Sequence, residues 1–330
     1  MRLAPLAALA LTAALATLAV SRAQPEAPKL AFPIACQIGK TCEIQHYVDR
    51  DPGPGALDYR CGHRTYDKHD GLDIRILDMA AQRAGVDVLA AAAGRVLAVR
   101  DGVPDISIRA PGAPSVAGHE CGNRVGIAIG NGWIIDYCHL AKGSPKVKVG
   151  DMVTVGQPLG RVGLSGDTEF PHLHFSVRHA NLVVDPFAPA VAGGCAVQPA
   201  TLWTPAVAAA APYKRGAVLN AGFATAILTN AQVEERSAVA PSAGSPATVA
   251  YARLIGLELG DVIEITLAGP DGKTLATSTL APLDHDKDEF LVQVGRKRPP
   301  QGWPHGAYAA VVQVRRGGAV ALTHRWRTAL

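Results

Sequence analysis

FPHLHFSVR, residues 170–178, sets His172 and His174 one residue apart in a run that otherwise alternates apolar side chains, Leu173, Phe175 and Val177. A period of two marks a half-buried strand. On such a strand the two imidazoles share one face, and Leu173, Phe175 and Val177 turn the other way, toward a core. Two histidines held side by side on a stiff element make half of a divalent-metal site, or a metal ligand beside a general base.

Segments upstream supply further groups. In KHDGLDI, residues 68–74, His69 and Asp73 are four apart. In an extended chain that even spacing puts both on one face, and Gly71 between them allows a close or bent backbone. Residues 125–129 and 133–139 alternate around Gly130-Asn131-Gly132, a hairpin signal that carries His139 in DYCHL. Residues 147–162, VKVGDMVTVGQPLGRV, read as short strands around tight glycine turns, and a Gly/Ser loop at 163–169 leads into the HLH strand. Residues 51–66 and 101–120 read as loops. The start of 80–100 is polar and loop-like; VDVLAAAAGRVLAVR then predicts two strands joined by a tight turn at Gly94.

Three segments therefore supply His69 and Asp73, His139, and His172 with His174. Catalytic zinc takes three protein ligands and keeps one position for water. Two imidazoles and one carboxylate leave the ion enough charge to bring its water to a pKa of about 7 and to polarise a carbonyl. Two histidines remain for proton transfer, where a pKa near neutrality is useful.

These residues carry a resemblance. HDGLD (69–73) resembles the HxGxD motif of the lysostaphin-type, or LytM-type, zinc endopeptidases; DYCHL (136–140) is similar to that family's YxHL, and PHLHF (171–175) to its HLHF. The order and rough separations agree, as do the glycine-punctuated strands before HLHF, and the likeness covers about residues 65–187. The resemblance implies an antiparallel β-sheet of the duplicated hybrid type crossed by a groove, with one Zn2+ held by His69, Asp73 and His174. It implies His139 and His172 as the catalytic pair, and peptides of bacterial peptidoglycan as the substrate. Tyr66 is the nearest candidate for the tyrosine that assists the oxyanion in that family, although its spacing does not match. Cys138 is a departure; period two turns it from the face of His139, toward a disulfide. Some members lack ligands and regulate cell-wall hydrolases without hydrolysis; here all five positions are filled. A general secreted metalloprotease is a further alternative.

Composition agrees with an exported globular protein. The chain has 330 residues, a formal charge of +4 and 18% charged residues, with no dense basic block of the kind nucleic-acid binding needs. Arg2, an apolar run over 3–20 and small residues at Ser21 and Ala23 predict a signal peptide over 1–23, periplasmic or extracellular localisation, and no membrane span once it is cleaved. In an oxidising compartment six cysteines allow three disulfides. Cys36 with Cys42 would close a local loop, Cys121 with Cys138 would cross a hairpin, and Cys61 with Cys195 follows by elimination, out of fifteen formal connectivities.

The predicted organisation is all-β: a peptidase-type domain with an N-terminal extension over 24–192, a Gly/Ala/Pro linker over 193–213, and a small β-sandwich over 214–330. The last is read from short alternating strands around Pro270-Asp271-Gly272 and Arg316-Gly317-Gly318. It is expected to aid targeting or to contact a protein partner. His46, His63, His119 and His179 lack partnered spacing and are expected outside the site. His285, His305 and His324 read as surface residues, and Arg296-Lys297-Arg298 as a solvated face.

Overall fold

The computed structural model of the protein describes residues 27–189, 194–195 and 200–330. The signal peptide expected at 1–23, and positions 193 and 196–199 of the expected linker, lie outside the described residues. The first half of the chain comprises β1 (Cys42–His46), β2 (Leu72–Ile76), α1 (Met79–Ala84), β3 (Asp87–Leu89), β4 (Gly94–Arg100), β5 (Asn123–Gly130), β6 (Trp133–Leu140), β7 (Met152–Val153), β8 (Pro158–Arg161), β9 (His172–His179) and β10 (Leu182–Val183). One antiparallel sheet runs β1-β2-β9-β6-β5-β4-β7, with β10 paired to the end of β9; β3 and β8 form a separate pair. The alternation read in 170–178 is realised in β9. Leu173, Phe175 and Val177 are buried in one core with Ile74, Ile135 and Tyr137, while the histidines face the other side. Burial of such large side chains contributes about 1.5–3 kcal/mol each, so the core beneath fixes the strand that carries the histidines.

Three expectations are corrected. The polar piece at the start of 80–100 includes a helix, α1, whose first turn is capped by the Asp78 side chain accepting from the Ala81 N–H and which ends at Gly85 with φ +86°. The two strands around Gly94 do not form a hairpin. β3 pairs with β8, and β4 lies between β5 and β7. Between them Ala90, Ala91 and Ala92 are buried, with the Ala91 N–H donating to the Tyr137 hydroxyl, so this connection crosses the core instead of turning at the surface. Part of the expected linker is structural. Leu202 and Trp203 are buried in the first core, residues 30 and 203 pair, and α2 (Pro205–Ala210) follows. The small-residue composition masked these two large apolar side chains.

The second half comprises β11 (Ala217–Ala224), α3 (Asn230–Glu234), β12 (Ala247–Leu257), β13 (Val262–Ala268), β14 (Thr274–Thr279), β15 (Lys287–Lys297), β16 (Ala307–Arg316) and β17 (Ala319–Ala329). Sheets β11-β12-β15 and β14-β13-β16-β17 share one core, with Ala250, Leu254 and Val292 from the first against Ile263, Ile265 and Val312 from the second. Disulfides join Cys36 to Cys42, Cys61 to Cys195 and Cys121 to Cys138. No described helix is long and apolar enough to cross a membrane.

Candidate metal centre

β2 lies between β1 and β9, and β9 between β2 and β6, so adjacent strands bring the dispersed motifs together. Asp73 pairs directly with His174 across β2–β9, and Arg75 with His172. A Cβ on Gly71 would stand 2.6 Å from His174 Nε2 and 2.9 Å from the Phe175 carbonyl oxygen, so the HDGLD turn has room only for glycine.

His69 Nε2, Asp73 Oδ1 and His174 Nδ1 form a triangle with sides of 3.1, 3.0 and 3.3 Å. A tetrahedral zinc with bonds of about 2.0–2.1 Å has ligand–ligand edges of about 3.4 Å. The triangle is therefore close in size to one face of that tetrahedron. The other ring nitrogens complete the fit. His69 Nδ1 lies 2.6 Å from the Tyr47 carbonyl, which only accepts, so Nδ1 carries the proton and Nε2 is the free donor. His174 Nε2 lies 3.2 Å from Asp70 Oδ1, which leaves His174 Nδ1 free. Asp73 Oδ2 takes a 2.9 Å contact from His46 Nδ1, which leaves Oδ1 for a metal. Supported donors of this kind are what a zinc site requires.

His139 reaches the same place through a defect in β6. Asn123 pairs with Leu140 but Val125 with Tyr137, so two β6 residues oppose one on β5; His139 within this bulge has φ +61°. Such bulges re-aim side chains beside active sites. Cys138, next to it, is bonded to Cys121 and is not a ligand. His139 Nδ1 lies 2.7 Å from the Ser165 carbonyl, and His172 Nδ1 lies 2.9 Å from the Phe170 carbonyl and 3.1 Å from Thr168 Oγ1. Each Nδ1 thus donates to a carbonyl, and the Nε2 of His139 keeps a lone pair. The two rings are 4.6 Å apart, and His172 Nε2 is 3.3 Å from Asp73 Oδ1. Tyr66 stacks on His69 at 4.4 Å and stands half-exposed at the rim.

The electrostatics divide the histidines. Burial, with a smaller effect from His172 and His174, holds the His139 pKa well below its ordinary value, so this ring is neutral at pH 7. Burial would also lower that of His174, but the Asp70 and Asp73 carboxylates outweigh it and raise the pKa to about 9 without a metal, so binding an ion at Nδ1 would release a proton. Burial alone would raise the Asp73 carboxyl; His69 and His172 reverse this and hold it well below the usual range. Desolvation, then the Asp73 and Asp70 charges, push the Tyr66 phenol up, so it remains a hydrogen-bond donor.

His69, Asp73, His139, His172 and His174 therefore converge, with Tyr66 beside them. His46, expected outside the site, is buried against Asp73, and Asp70, Ser165 and Thr168 support the other rings. His63, His119 and His179 make no contact with these groups among the described residues; His63 instead pairs with Asp286 at 2.6 Å. The centre opens into a groove of about 900 Å³ whose lining includes Tyr66, His139 and His172 from the first half and Glu234, Asp286 and Asp288 from the second. The second half was expected to serve targeting or a partner; in the structure it forms a wall of this groove.

Comparison with known proteins agrees in the region that holds these groups. Residues 67–186 match the model of peptidase family M23. The chain is 34% identical over 125 residues to the cell division protein DipM of Caulobacter vibrioides, a match covering 38% of this chain but only 17% of DipM. Similar solved structures include a zinc containing peptidase from Vibrio cholerae, with 24% identity, 43% of this chain, 38% of that chain and a TM-score of 0.28. The catalytic domain of the antimicrobial peptidase lysostaphin from Staphylococcus simulans has 23% identity, 42% of this chain, 85% of that chain and a TM-score of 0.28.

Proposed function

We propose that this protein, whose residues 67–186 match the model of peptidase family M23, is an exported zinc endopeptidase that hydrolyses peptide bonds in bacterial peptidoglycan. The observation that carries the reading is the donor triangle of His69, Asp73 and His174 beside the rings of His139 and His172, each oriented through Nδ1 by a backbone carbonyl. A metal bound by the triangle would supply an acidified water and a Lewis acid for the scissile carbonyl. His139, neutral and buried, accepts the proton of the attacking water. His172, 4.6 Å away, orients that water with it, and the pair returns a proton to the departing amine. Tyr66 at the rim donates to the oxyanion. The three disulfides support an oxidising compartment, in keeping with a leader over 1–23. The chain is organised as a peptidase unit followed, after 193–213, by a β-sandwich.

Two substitutions test the division of roles. His174→Ala should lose zinc from a folded protein. His139→Ala should keep zinc and lose rate by about 10²–10⁴-fold, the range for a proton-transfer group. Loss of zinc from a folded His139→Ala protein would overturn the assignment.

A further inference from the structure

We propose that His46 is a positioning residue for Asp73 and that Asp288, from the C-terminal sandwich, caps it, so that the docked sandwich is part of the metal centre. The inference rests on the zinc reading above. It begins with β1. A register shift between Ile44 and His46 sets His46 opposite Asp73 on β2. His46 is buried, and its Nδ1 lies 2.9 Å from Asp73 Oδ2, the carboxylate oxygen turned away from the donor triangle. A carboxylate has two equivalent oxygens and a free torsion; a donor fixed on one of them selects the other for a metal and stops the rotation.

The far side of the His46 ring faces the sandwich. His46 Nε2 makes no hydrogen bond within the protein and lies 3.5 Å from Asp288 Oδ1, an ion-pair distance too long for a good hydrogen bond. Asp288 adjoins Glu289, and Glu289 is tied down. Its Oε2 lies 2.6 Å from Nη1 of Arg75, which is 1% exposed and two residues beyond Asp73. Arg75 Nη1 also donates to Gln45 Oε1 at 2.9 Å, holding the residue before His46. Arg75 Nη2 pairs with Glu234 at 2.6 Å, and Glu234 also binds buried Arg253. One guanidinium on the metal-binding strand thus fixes both β1 and the sandwich segment that reaches His46. A targeting module would not need charged groups buried against β2, where every desolvated ion must be matched.

The test uses the full-length chain and zinc itself. Zinc affinity is measured by competition with a chromophoric chelator, with thermal unfolding of each metal-free variant as the folding control. His46→Ala should weaken zinc about 10–100-fold, the usual effect of removing such a support. His46→Asn, whose amide N–H can occupy the Nδ1 position, should recover much of the loss, a rescue that a merely space-filling role would not give. Asp288→Ala, at an exposed side chain, should weaken zinc by a few-fold without unfolding. A folded His46→Ala protein that binds zinc as tightly as wild type, or a folded His46→Asn protein that binds it no better than His46→Ala, overturns the positioning role. An unchanged affinity in Asp288→Ala overturns the part given to the sandwich. Wild-type protein that binds no zinc would overturn the zinc reading itself, and this inference with it.

Discussion

Glu234→Gln should destabilise the protein more than any surface change. Arg75 and Arg253 have side chains 1% and 0% exposed, and they share the carboxylates of Glu234 and Glu289, 18% and 22% exposed. Glu234 Oε2 lies 2.6 Å from Arg75 Nη2 and also contacts Arg253 Nη1, whereas Glu289 reaches Arg253 only at 3.8 Å. Neutralising Glu234 leaves two buried guanidiniums with one carboxylate. Burial, and then the Arg75 charge, already depress the Arg253 pKa, so the cluster has no negative charge to spare. Breaking a buried pair from one side costs about 3–5 kcal/mol. At about 2–4 °C per kcal/mol for domains of this size, the melting temperature should fall by about 6–20 °C. Differential scanning calorimetry reads the loss, and separation of the two halves would split one transition into two. Glu234→Leu combined with Arg253→Met removes one charge of each sign and should be less damaging than Glu234→Gln alone. A Glu234→Gln protein melting within about 2 °C of wild type would refute the view that this cluster docks the sandwich.

Further outcomes concern covalent links and pH. In the chain-entropy model the Cys61–Cys195 bond, spanning 134 residues, contributes about 5 kcal/mol, and Cys36–Cys42, spanning 6, about 2 kcal/mol. Urea titration of the two paired Cys→Ser variants should show the larger loss for Cys61/Cys195, and equal losses would contradict the model. Asp185 is buried with Oδ2 unpartnered, and burial pushes its carboxyl up to about 7. The folded state therefore binds this proton more tightly than the unfolded chain, so stability falls as pH rises from about 4 to about 7, by at most about 4 kcal/mol. Asp185→Asn should flatten that slope in a series of melts between these pH values and be more stable than wild type at pH 8; an unchanged slope would show that the group titrates normally.

Much of the site was legible because its parts are local. The HLH spacing places two rings on one face of β9, and the alternating apolar residues specify the buried side. HDGLD is a turn whose glycine is demanded by contact with His174. His46 was not legible, because its partner is 27 residues away on the next strand and a bulge sets the register. His139 was placed beside the other histidines by its motif, but the bulge that aims it has no sequence marker of its own. The linker at 193–213 misled because it is rich in small residues, although Leu202 and Trp203 are core side chains. The sandwich strands were legible from their alternation and turns. Their docking was not, since it depends on Arg75 meeting Glu234 and Glu289, and on Arg253 donating to the Leu77 carbonyl, across separations that no local pattern records.

The central claim is tested most directly by mass spectrometry of peptidoglycan fragments released by the full-length, zinc-loaded protein, run beside the chelated protein and His139→Ala. The account predicts new peptide termini with the loaded wild type, and their loss with chelator and with His139→Ala. Folded, zinc-loaded wild-type protein that releases no new termini, or releases them equally after chelation, would contradict it.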